Sequence, residues 1–409
     1  MLMKPQRFTM VLMTVFAPAL ALLPLKQPQP KGGAGAPPSK GARQTPTVDE
    51  SVTINNKYSK ASSIKEILKK HTMQGLPGVA LAVYSEREGW WACAEGYART
   101  EDKTPMRTDH LQYLQSASKT YMAVAVLKLF EEKRIRLDAP ITHYLPAKYS
   151  KYIKQAERVT VRMLLTHTSG IPEYSTHPAF VGQVILHPRK VFESQDVLKH
   201  LGKEELAFPP GRKYAYTNTN YLLLALIVDA VAGDHAALMD RAIFKKLGLT
   251  RTFYRNDTNY LRYPSLVDSY WNVLDAGRPA NISPLQRANV ATLKGDDGIV
   301  CTPTDAVLFL RGLNEGKLLK DATVRLMRQW VNDEKGKPVY GMGLSYFMAG
   351  DISGYGHGGG GIGASCLLLH VPSKRLYLFL ATNVGVLTEG KLPRKAAEMR
   401  DEILQVLLK

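Results

Sequence analysis

Cysteine is scarce in this chain, with Cys93, Cys301 and Cys366 the three present in 409 residues. Three thiols are too few, and odd in number, for the disulfide framework of a small secreted scaffold. Each lies among apolar or small residues, so we predict buried free thiols, with a single bridge between two of them as the alternative. Cysteine and histidine also do not fall at metal-ligand spacings, and we expect neither a metal nor an organic cofactor.

Long apolar runs are lacking after the first 25 residues, and no later segment is long and apolar enough to span a bilayer. The run from Phe8 to Leu23 follows Lys4 and Arg7 and contains a small-x-small cleavage site at 19–21, as in a secretory signal peptide. A single membrane anchor is the alternative, which the shortness of the run disfavours. We therefore expect residues 1–21 to be cleaved and the protein to be exported to the periplasm or the extracellular space, with no stable membrane span afterwards.

Acidic residues are in the minority, with 36 Asp and Glu against 54 Lys and Arg, which gives a net charge of +18. The basic residues are spread along the chain, and no stripe of Lys and Arg is interleaved with aromatic residues. This pattern favours solubility or contact with an anionic envelope surface over a nucleic-acid site. We expect no nucleic-acid partner.

Proline and glycine concentrate in one place, the segment KQPQPKGGAGAPPSKGARQTPT over residues 26–47. Such a composition is typical of a flexible tether, so we predict a linker over residues 22–50. The remaining residues, 51–409, have the composition of one globular domain.

Within that domain, strand-like patterns lie at both ends and helical patterns in the middle. The simplest packing is an α+β fold in which one antiparallel sheet, flanked by helices, carries an inserted and mainly helical lobe. We assign residues 51–115 and 295–409 to the α/β lobe and residues 116–294 to the helical lobe. A cleft between sheet and lobe is where a site is expected.

The stretch LQSASKTYMAV places Ser116 at the mouth of an apolar helix and Lys119 one turn later, on the same face. A Ser-x-x-Lys match is weak evidence, since the pair Ser62 and Lys65 matches too, on an ordinary helix. Tyr-x-Asn likewise occurs more than once, for example at 216–218 and at 270–272. The context of each match has to separate signal from coincidence.

That context resembles the serine β-lactamase and penicillin-recognising superfamily, in its class C and DD-peptidase-like branch. QSASKTYMA is similar to its first motif, PPGRKYAYTNTNYLLLALIV to the region of its second, and GYGHGGGGIG to the strand of its third. Two accessory stretches, VTVRMLLTHTSGIPEY and DDGIVCTPTDAVLFL, also match in the right order. The resemblance covers roughly residues 58–408 and implies a β-lactamase/transpeptidase-like fold.

The resemblance implies that Ser116 is the nucleophile, with Lys119 and Tyr216 as its proton-transfer partners. The physical reasons are independent of the family. A serine hydroxyl is a poor nucleophile until a base takes its proton, and Lys119 in an apolar helix would be costly to bury without a role. Tyr216 is the candidate base and proton shuttle. A phenolate there needs cations nearby, of which Lys119 is one and His357, if protonated, is another.

The resemblance also implies a substrate-binding set made of Asn218, His357 and Gly359. Asn218 would orient the substrate amide and hold Lys119, and backbone N–H groups of Ser116 and Gly360 would form the oxyanion hole. The third motif departs from the Lys-Thr-Gly of many class C β-lactamases. A histidine suits DD-peptidases, D-aminopeptidases or esterases, which puts efficient β-lactam hydrolysis in doubt.

His167, in LLTHTSG, invites comparison with a Ser-His-Asp triad. Neither Ser116 nor Ser169 lies in a Gly-x-Ser-x-Gly elbow, so we expect His167 to be a structural hydrogen-bonding residue near the cleft.

The sequence therefore predicts an exported serine hydrolase that acts through a Ser116 acyl-enzyme on D-amino-acid peptides, small amides, esters or β-lactams. A cationic cleft that binds a substrate carboxylate would favour peptidoglycan-derived peptides. The alternatives are a non-catalytic penicillin-fold protein that binds cell-envelope peptides and a basic structural protein of the envelope. The sequence leaves the oligomeric state open.

Overall fold

The computed structural model describes residues 52–255, 257–272 and 278–409. The predicted signal peptide and linker, residues 1–50, lie outside the described residues. The longer helices are α1 (Ala61–Met73), α2 (Ser118–Glu131), α5 (Pro178–Leu186), α7 (Asn218–Ala232), α10 (Ser283–Thr292), α11 (Pro303–Asn314) and α13 (Lys391–Leu408). The shorter ones are α3 (Ala147–Ser150), α4 (Val161–Leu165), α6 (Ser194–Leu198), α8 (His235–Met239), α9 (Lys245–Leu247) and α12 (Asp321–Met327).

The strands fall mainly at the two ends of the chain. Those before the helical region are β1 (Gly78–Ser85), β2 (Gly89–Arg99), β3 (Thr104–Pro105) and β4 (Gln112–Tyr113). Short strands within and just after it are β5 (Thr252–Phe253), β6 (Tyr270–Trp271), β7 (Ala280–Asn281) and β8 (Val300–Cys301). The last group comprises β9 (Val331–Asn332), β10 (Pro338–Tyr340), β11 (Ser345–Ala349), β12 (Ile352–Gly360), β13 (Ser365–Val371) and β14 (Leu376–Thr382).

One antiparallel sheet combines strands from both ends, in the order β3-β2-β1-β14-β13-β12-β11-β10-β9 within the described residues. The central pair joins β1 to β14, so that Ala82 lies opposite Phe379. The fold class predicted from the sequence, an antiparallel sheet with flanking helices and a mainly helical region inserted between its strands, is confirmed.

Strand β1, GVALAVYS, is buried on both faces because helices cover the sheet on both sides. Its odd positions Val79, Leu81 and Val83 pack with side chains of α1 and α13. Ala82, which points to the opposite face, packs in the large core that contains α2, α7 and α11. That second face is the one on which the site is built.

Helices α2 and α7 form the centre of the helical region, and most of their residues are buried. Helix α7 begins after Thr217, whose side chain accepts a hydrogen bond from the Thr219 N–H. It ends at Gly233, where φ is +90°.

Among the described residues, no single helix is long and apolar enough to cross a membrane. One bent pair, Asn218–Ala232 with His235–Leu247, passes the test of length and composition together, with a bend of 84°. The first helix of the pair is a buried core helix here.

Candidate active site

Ser116 lies in a single 3-10 turn, Gln115–Ala117, that leads from β4 into α2. The chain reverses there through Gln115, which has a left-handed φ of 48° and is almost fully buried. The Leu114 carbonyl oxygen accepts hydrogen bonds from the Ala117 N–H and from the Cys366 thiol, at 3.0 and 3.1 Å. These contacts fix the serine at the start of the helix, as the sequence predicts.

Lys119 is fully buried, and its Nζ has three oxygen neighbours: Ser116 Oγ at 3.1 Å, Asn218 Oδ1 at 2.7 Å and the Asp296 carbonyl oxygen at 2.9 Å. The Asn218 amide is oriented by its Nδ2, which donates to Ser175 Oγ at 3.2 Å. Two neighbours of Nζ are therefore pure acceptors, while Ser116 Oγ can also donate. A neutral Lys119 amine donates to those two and keeps its lone pair for the Ser116 hydroxyl.

The charge state of Lys119 depends on its surroundings. Burial lowers the pKa of Lys119, and the carboxylates of Asp296, Asp297 and Glu173 oppose that shift. Burial thus favours the neutral amine, which can accept a proton, while the acids favour the ammonium.

Tyr216 lines the cleft beside these two residues. Burial raises the pKa of Tyr216 well above its usual value, and a hydrogen bond with the Ser116 side chain opposes the shift. Lys119 Nζ lies 5.1 Å from the centre of the tyrosine ring. The hydroxyl is thus in place to relay a proton, but a preformed phenolate is disfavoured in the resting site, so the predicted base needs Lys119 as its partner.

His357 is buried, and both of its ring nitrogens are engaged. Nδ1 lies 2.6 Å from the Gly358 carbonyl oxygen and Nε2 lies 2.9 Å from the Tyr340 hydroxyl. A carbonyl only accepts, so Nδ1 carries the proton and Nε2 accepts from the tyrosine. Burial, with a smaller effect of Lys119, lowers the pKa of His357 to about 3. Burial therefore favours a neutral imidazole beside Tyr216, and His357 then does not meet the condition, protonation, under which it would supply a cation.

The glycines after His357 let strand β12 approach the nucleophile segment closely. A Cβ on Gly359 would lie 2.4 Å from the Leu114 carbonyl oxygen and 2.9 Å from Gln115 Cβ. A Cβ on Gly361 would lie 2.2 Å from Gln115 Oε1. Only glycine fits this contact, so the end of β12 lies directly against the turn that holds Ser116.

Gly360 is the last residue of β12, is exposed, and pairs with Ser365 on β13. Its position at the open end of the strand, beside the segment before Ser116, is compatible with an oxyanion donor. The oxyanion hole formed by the Gly360 and Ser116 N–H groups stays a prediction.

Three acidic residues around Lys119 were not identified from the sequence. Glu173 Oε2 accepts from the Asn218 N–H at 2.6 Å, and Asp296 Oδ2 accepts from the Tyr174 hydroxyl at 3.0 Å. Burial raises the pKa of Asp296 to about 7 and that of Asp297 to about 6. In the sequence, these three acids could have been noticed as the Asp pair of DDGIV and the glutamate of GIPEY, two stretches that match the family. With His357 neutral, the charges described around Lys119 do not make the cationic cleft that the sequence-based interpretation allowed.

His167 has the structural role that the sequence predicts. Its Nδ1 accepts from the Thr217 N–H at 3.3 Å and faces Asn220 Nδ2 at 3.2 Å. Asn220 Oδ1 accepts from Ser169 Oγ, so Nδ2 is the donor to the histidine. The imidazole packs on the Tyr216 ring, with 4.2 Å between ring centres.

One group of described residues, Asp229, Asp234 and His235, has the spacing of metal ligands. His235 instead bonds Asp229 Oδ1 and the Tyr254 hydroxyl, and Asp234 accepts from the first N–H groups of α8. These contacts explain the group as a helix junction. Cys93, Cys301 and Cys366 are free thiols, as predicted.

A serine at the start of a buried helix, a lysine one turn on, and a Tyr-x-Asn on the facing helical segment define the class of serine hydrolases with the penicillin-binding fold. The comparison with known families agrees. The chain belongs to the beta-lactamase family, whose model matches residues 63–399.

Individual relatives are distant. Penicillin-binding protein 4* of Bacillus subtilis is 26% identical over 303 residues, which cover 70% of this chain and 64% of that relative. This chain therefore spans less than two thirds of the relative's length. The D-amino acid amidase of Ochrobactrum anthropi SV3, solved with D-phenylalanine, superposes with a TM-score of 0.73 at 23% identity over 86% of this chain and 100% of its own. A D-stereospecific amidohydrolase from Streptomyces superposes with a TM-score of 0.70 at 24% identity, over 82% of this chain and 97% of its own. At these identities the solved structures show the fold.

Proposed function

We propose that this protein hydrolyses small amides, esters, β-lactams or D-amino-acid peptides through an acyl-enzyme on Ser116. The observation that carries the proposal is the contact of 3.1 Å between Ser116 Oγ and the buried Lys119 Nζ, whose two other partners are acceptors. A lysine held in this way is a base for the serine rather than a surface charge.

In the first half-reaction, Ser116 Oγ attacks the substrate carbonyl carbon while its proton passes to Lys119. The oxyanion is held by the N–H groups of Ser116 and Gly360. The proton then travels through the Tyr216 hydroxyl to the leaving nitrogen or oxygen, the bond to the leaving group breaks, and an ester of Ser116 remains.

In the second half-reaction, a water molecule attacks the ester carbonyl while its proton passes through the Tyr216 hydroxyl to the neutral Lys119. The bond between the carbonyl carbon and Ser116 Oγ breaks, and the proton returns to Oγ. Asn218 orients the substrate amide and holds the lysine through both steps.

The neighbours support the substrate range. One solved neighbour is a D-amino acid amidase and another a D-stereospecific amidohydrolase, while the sequence relative is a penicillin-binding protein. The neutral His357 offers no cation to a substrate carboxylate, which favours amide or ester ends over a free carboxylate at that position. Peptidoglycan-derived peptides remain one class within the proposal, and export to the periplasm or the extracellular space is proposed on the sequence of residues 1–21 alone.

Intact-mass analysis after treatment with a fluorophosphonate, and separately with a penicillin, tests the proposal. We expect one adduct on the wild-type protein and none on Ser116→Ala. Ser62→Ala is a matched control, because Ser62 and Lys65 form the other Ser-x-x-Lys pair and are exposed on α1; it should keep the adduct. A folded wild-type protein that gains no adduct from either reagent would favour a non-catalytic binder. An adduct that persists in Ser116→Ala would place the nucleophile elsewhere.

A further inference from the structure

Helix α5 presents apolar side chains to solvent. Its sequence, PAFVGQVIL, has one polar side chain, Gln183, yet only Phe180 and Val181 of its nine residues are buried. At its end Leu186 is 70% exposed. A surface helix normally turns a polar face toward solvent. The shortage of polar side chains on α5 is therefore unusual for a surface that is exposed only to water.

The loop after α5 adds positive charge to this apolar surface. Val191 is 48% exposed, and the exposed Arg189 and Lys190 lie between it and Leu186. Residues 176–192 contain no Asp or Glu. We name Leu186 to Val191 the basic apolar loop.

The basic apolar loop is flanked by aromatic residues that pack against one another. Phe180 packs edge-to-face on Phe192, at 5.5 Å between ring centres, and on Tyr174 at 5.7 Å. The Phe192 N–H donates to Thr292 Oγ1 at 3.0 Å, and the Tyr174 hydroxyl donates to Asp296 at the site. An aromatic cluster thus connects the exposed loop to the acids around Lys119.

We propose that the basic apolar loop docks on a membrane surface that contains anionic phospholipid. Leu186 and Val191 enter the boundary between headgroups and acyl chains, and Arg189 and Lys190 pair with lipid phosphates. The nearest acid along the chain, Glu193, is paired with Lys294 at 3.2 Å, and Asp196, whose charge reaches Lys190, is paired with Lys199 at 3.0 Å. Charge complementarity favours an anionic membrane as the partner. The stretch of residues 176–192 lacks acids and the chain has a net charge of +18, so both would be attracted to a uniformly negative surface.

The proposal does not depend on the reaction that the site performs, because it concerns a surface outside the Ser116 machinery.

The first test is sedimentation of the full chain with phosphatidylcholine vesicles, with and without phosphatidylglycerol. We expect binding that needs phosphatidylglycerol and weakens with salt. The double variant Arg189→Gln with Lys190→Gln should bind about thirtyfold more weakly, and Leu186→Ser with Val191→Ser at least about tenfold. Met73→Ser, which alters another exposed apolar side chain on α1, should bind as the wild type does.

A second measurement reports which surface touches the lipid, since residues 1–25 are themselves apolar and present in every variant. A fluorophore on Val191→Cys should be quenched by nitroxide-labelled phospholipid, and the same fluorophore on Met73→Cys should not. Equal quenching at both positions, or binding that none of the loop variants reduces, would overturn the proposal. Self-association lost in Leu186→Ser, with no vesicle binding, would instead assign the surface to a second copy of this chain.

Discussion

Lys119 shows how one residue sets the chemistry of this site. An ammonium without water is costly unless its protons are accepted and its charge is balanced. Here three oxygen atoms surround Nζ, and Asp296, Asp297 and Glu173 supply the balancing charge. Because burial and the acids shift the lysine pKa in opposite directions, small changes in the acids should move the working pH of the enzyme.

Asp296→Asn tests this balance. The carboxylate raises the pKa of Lys119, so its removal lowers that pKa and leaves the neutral amine in place at lower pH. The acid limb of the kcat/KM profile for acylation should therefore move down by about one pH unit. Asp351→Asn, at an exposed position between β11 and β12, is the control. A limb that stays in place would mean that Lys119 is not the group whose titration limits acylation.

His167→Asn tests how the Tyr216 ring is positioned. Asparagine tolerates the left-handed φ of 56° at this position and keeps an acceptor for the Thr217 N–H. The variant loses the ring that packs on Tyr216, and we expect kcat to fall about tenfold with KM little changed. Single-turnover acylation should slow by the same factor. An unchanged kcat would show that the tyrosine is held without the histidine.

The site residues differ in how much their sequence reveals. Ser116, Lys119 and Asn218 could be predicted because side chains carry their roles at fixed spacing, and the structure brings these three together. Asp296 contacts Lys119 through its backbone carbonyl, which any residue provides. The neutral state of His357 depends on burial and on Tyr340, which lies on a strand that no motif marks.

At the scale of elements, strand β12 and the turn before α2 act as one unit, because glycine lets them touch. Gly359→Ala would place a methyl group 2.4 Å from the Leu114 carbonyl oxygen and 2.7 Å from Cys366 Sγ, and the strand would have to move away from Ser116. We expect a loss of about 1–3 kcal/mol in stability and a fall of about a hundredfold in kcat/KM.

Gly358→Ala is the matched control on the same strand. Its Cβ would have its nearest contact at 3.9 Å, from the Cys366 carbonyl oxygen, an ordinary contact. Thermal unfolding and kcat/KM of the two variants can be compared directly. Equal losses at both positions would show that glycine is needed for chain flexibility and not for close approach.

The longer elements could be predicted because their patterns are strong. The apolar runs of β1, β14 and α7 are long enough to identify buried elements. Apolar strands from both ends of the domain bury each other best in one sheet, which predicts the pairing of β1 with β14. Two-residue strands such as β5 and β8, and the π-helical turn Asp240–Phe244, could not be predicted. Such short segments have no periodicity, and tertiary contacts decide their conformation.

At the scale of the whole molecule, buried histidines tie stability to pH. Burial lowers the pKa of His357 and His370 to about 3 and of His110 to about 4, and it lowers that of His167 well below its usual value. The unfolded chain takes up these protons below about pH 6.5, whereas the folded chain does so only near those lower values. Stability from these residues is present above about pH 6.5 and is lost as the pH falls. Raised pKa values of buried acids act in the opposite direction.

His370→Phe isolates one of these contributions away from the site. His370 packs on Tyr377 and Tyr355, at 4.0 and 5.1 Å between ring centres, and its Nδ1 is buried without a hydrogen-bond partner among the described residues. Arg328, which donates a hydrogen bond to the Tyr355 hydroxyl, also disfavours protonation of His370. Phenylalanine keeps the ring packing and removes the titrating group.

The free energy of unfolding of both proteins can be measured with urea. As the pH is lowered from about 7.5 to about 4.5, the wild type should lose about 2 kcal/mol more of this free energy than His370→Phe does. His143→Phe, at an exposed position beside Tyr144, is the control for the replacement of a histidine by phenylalanine. If the difference between His370→Phe and the wild type is constant over this range, His370 must take up its proton in the folded protein at about the same pH as in the unfolded chain. Acid sensitivity would then have to come from the other buried histidines, among them His357 at the site.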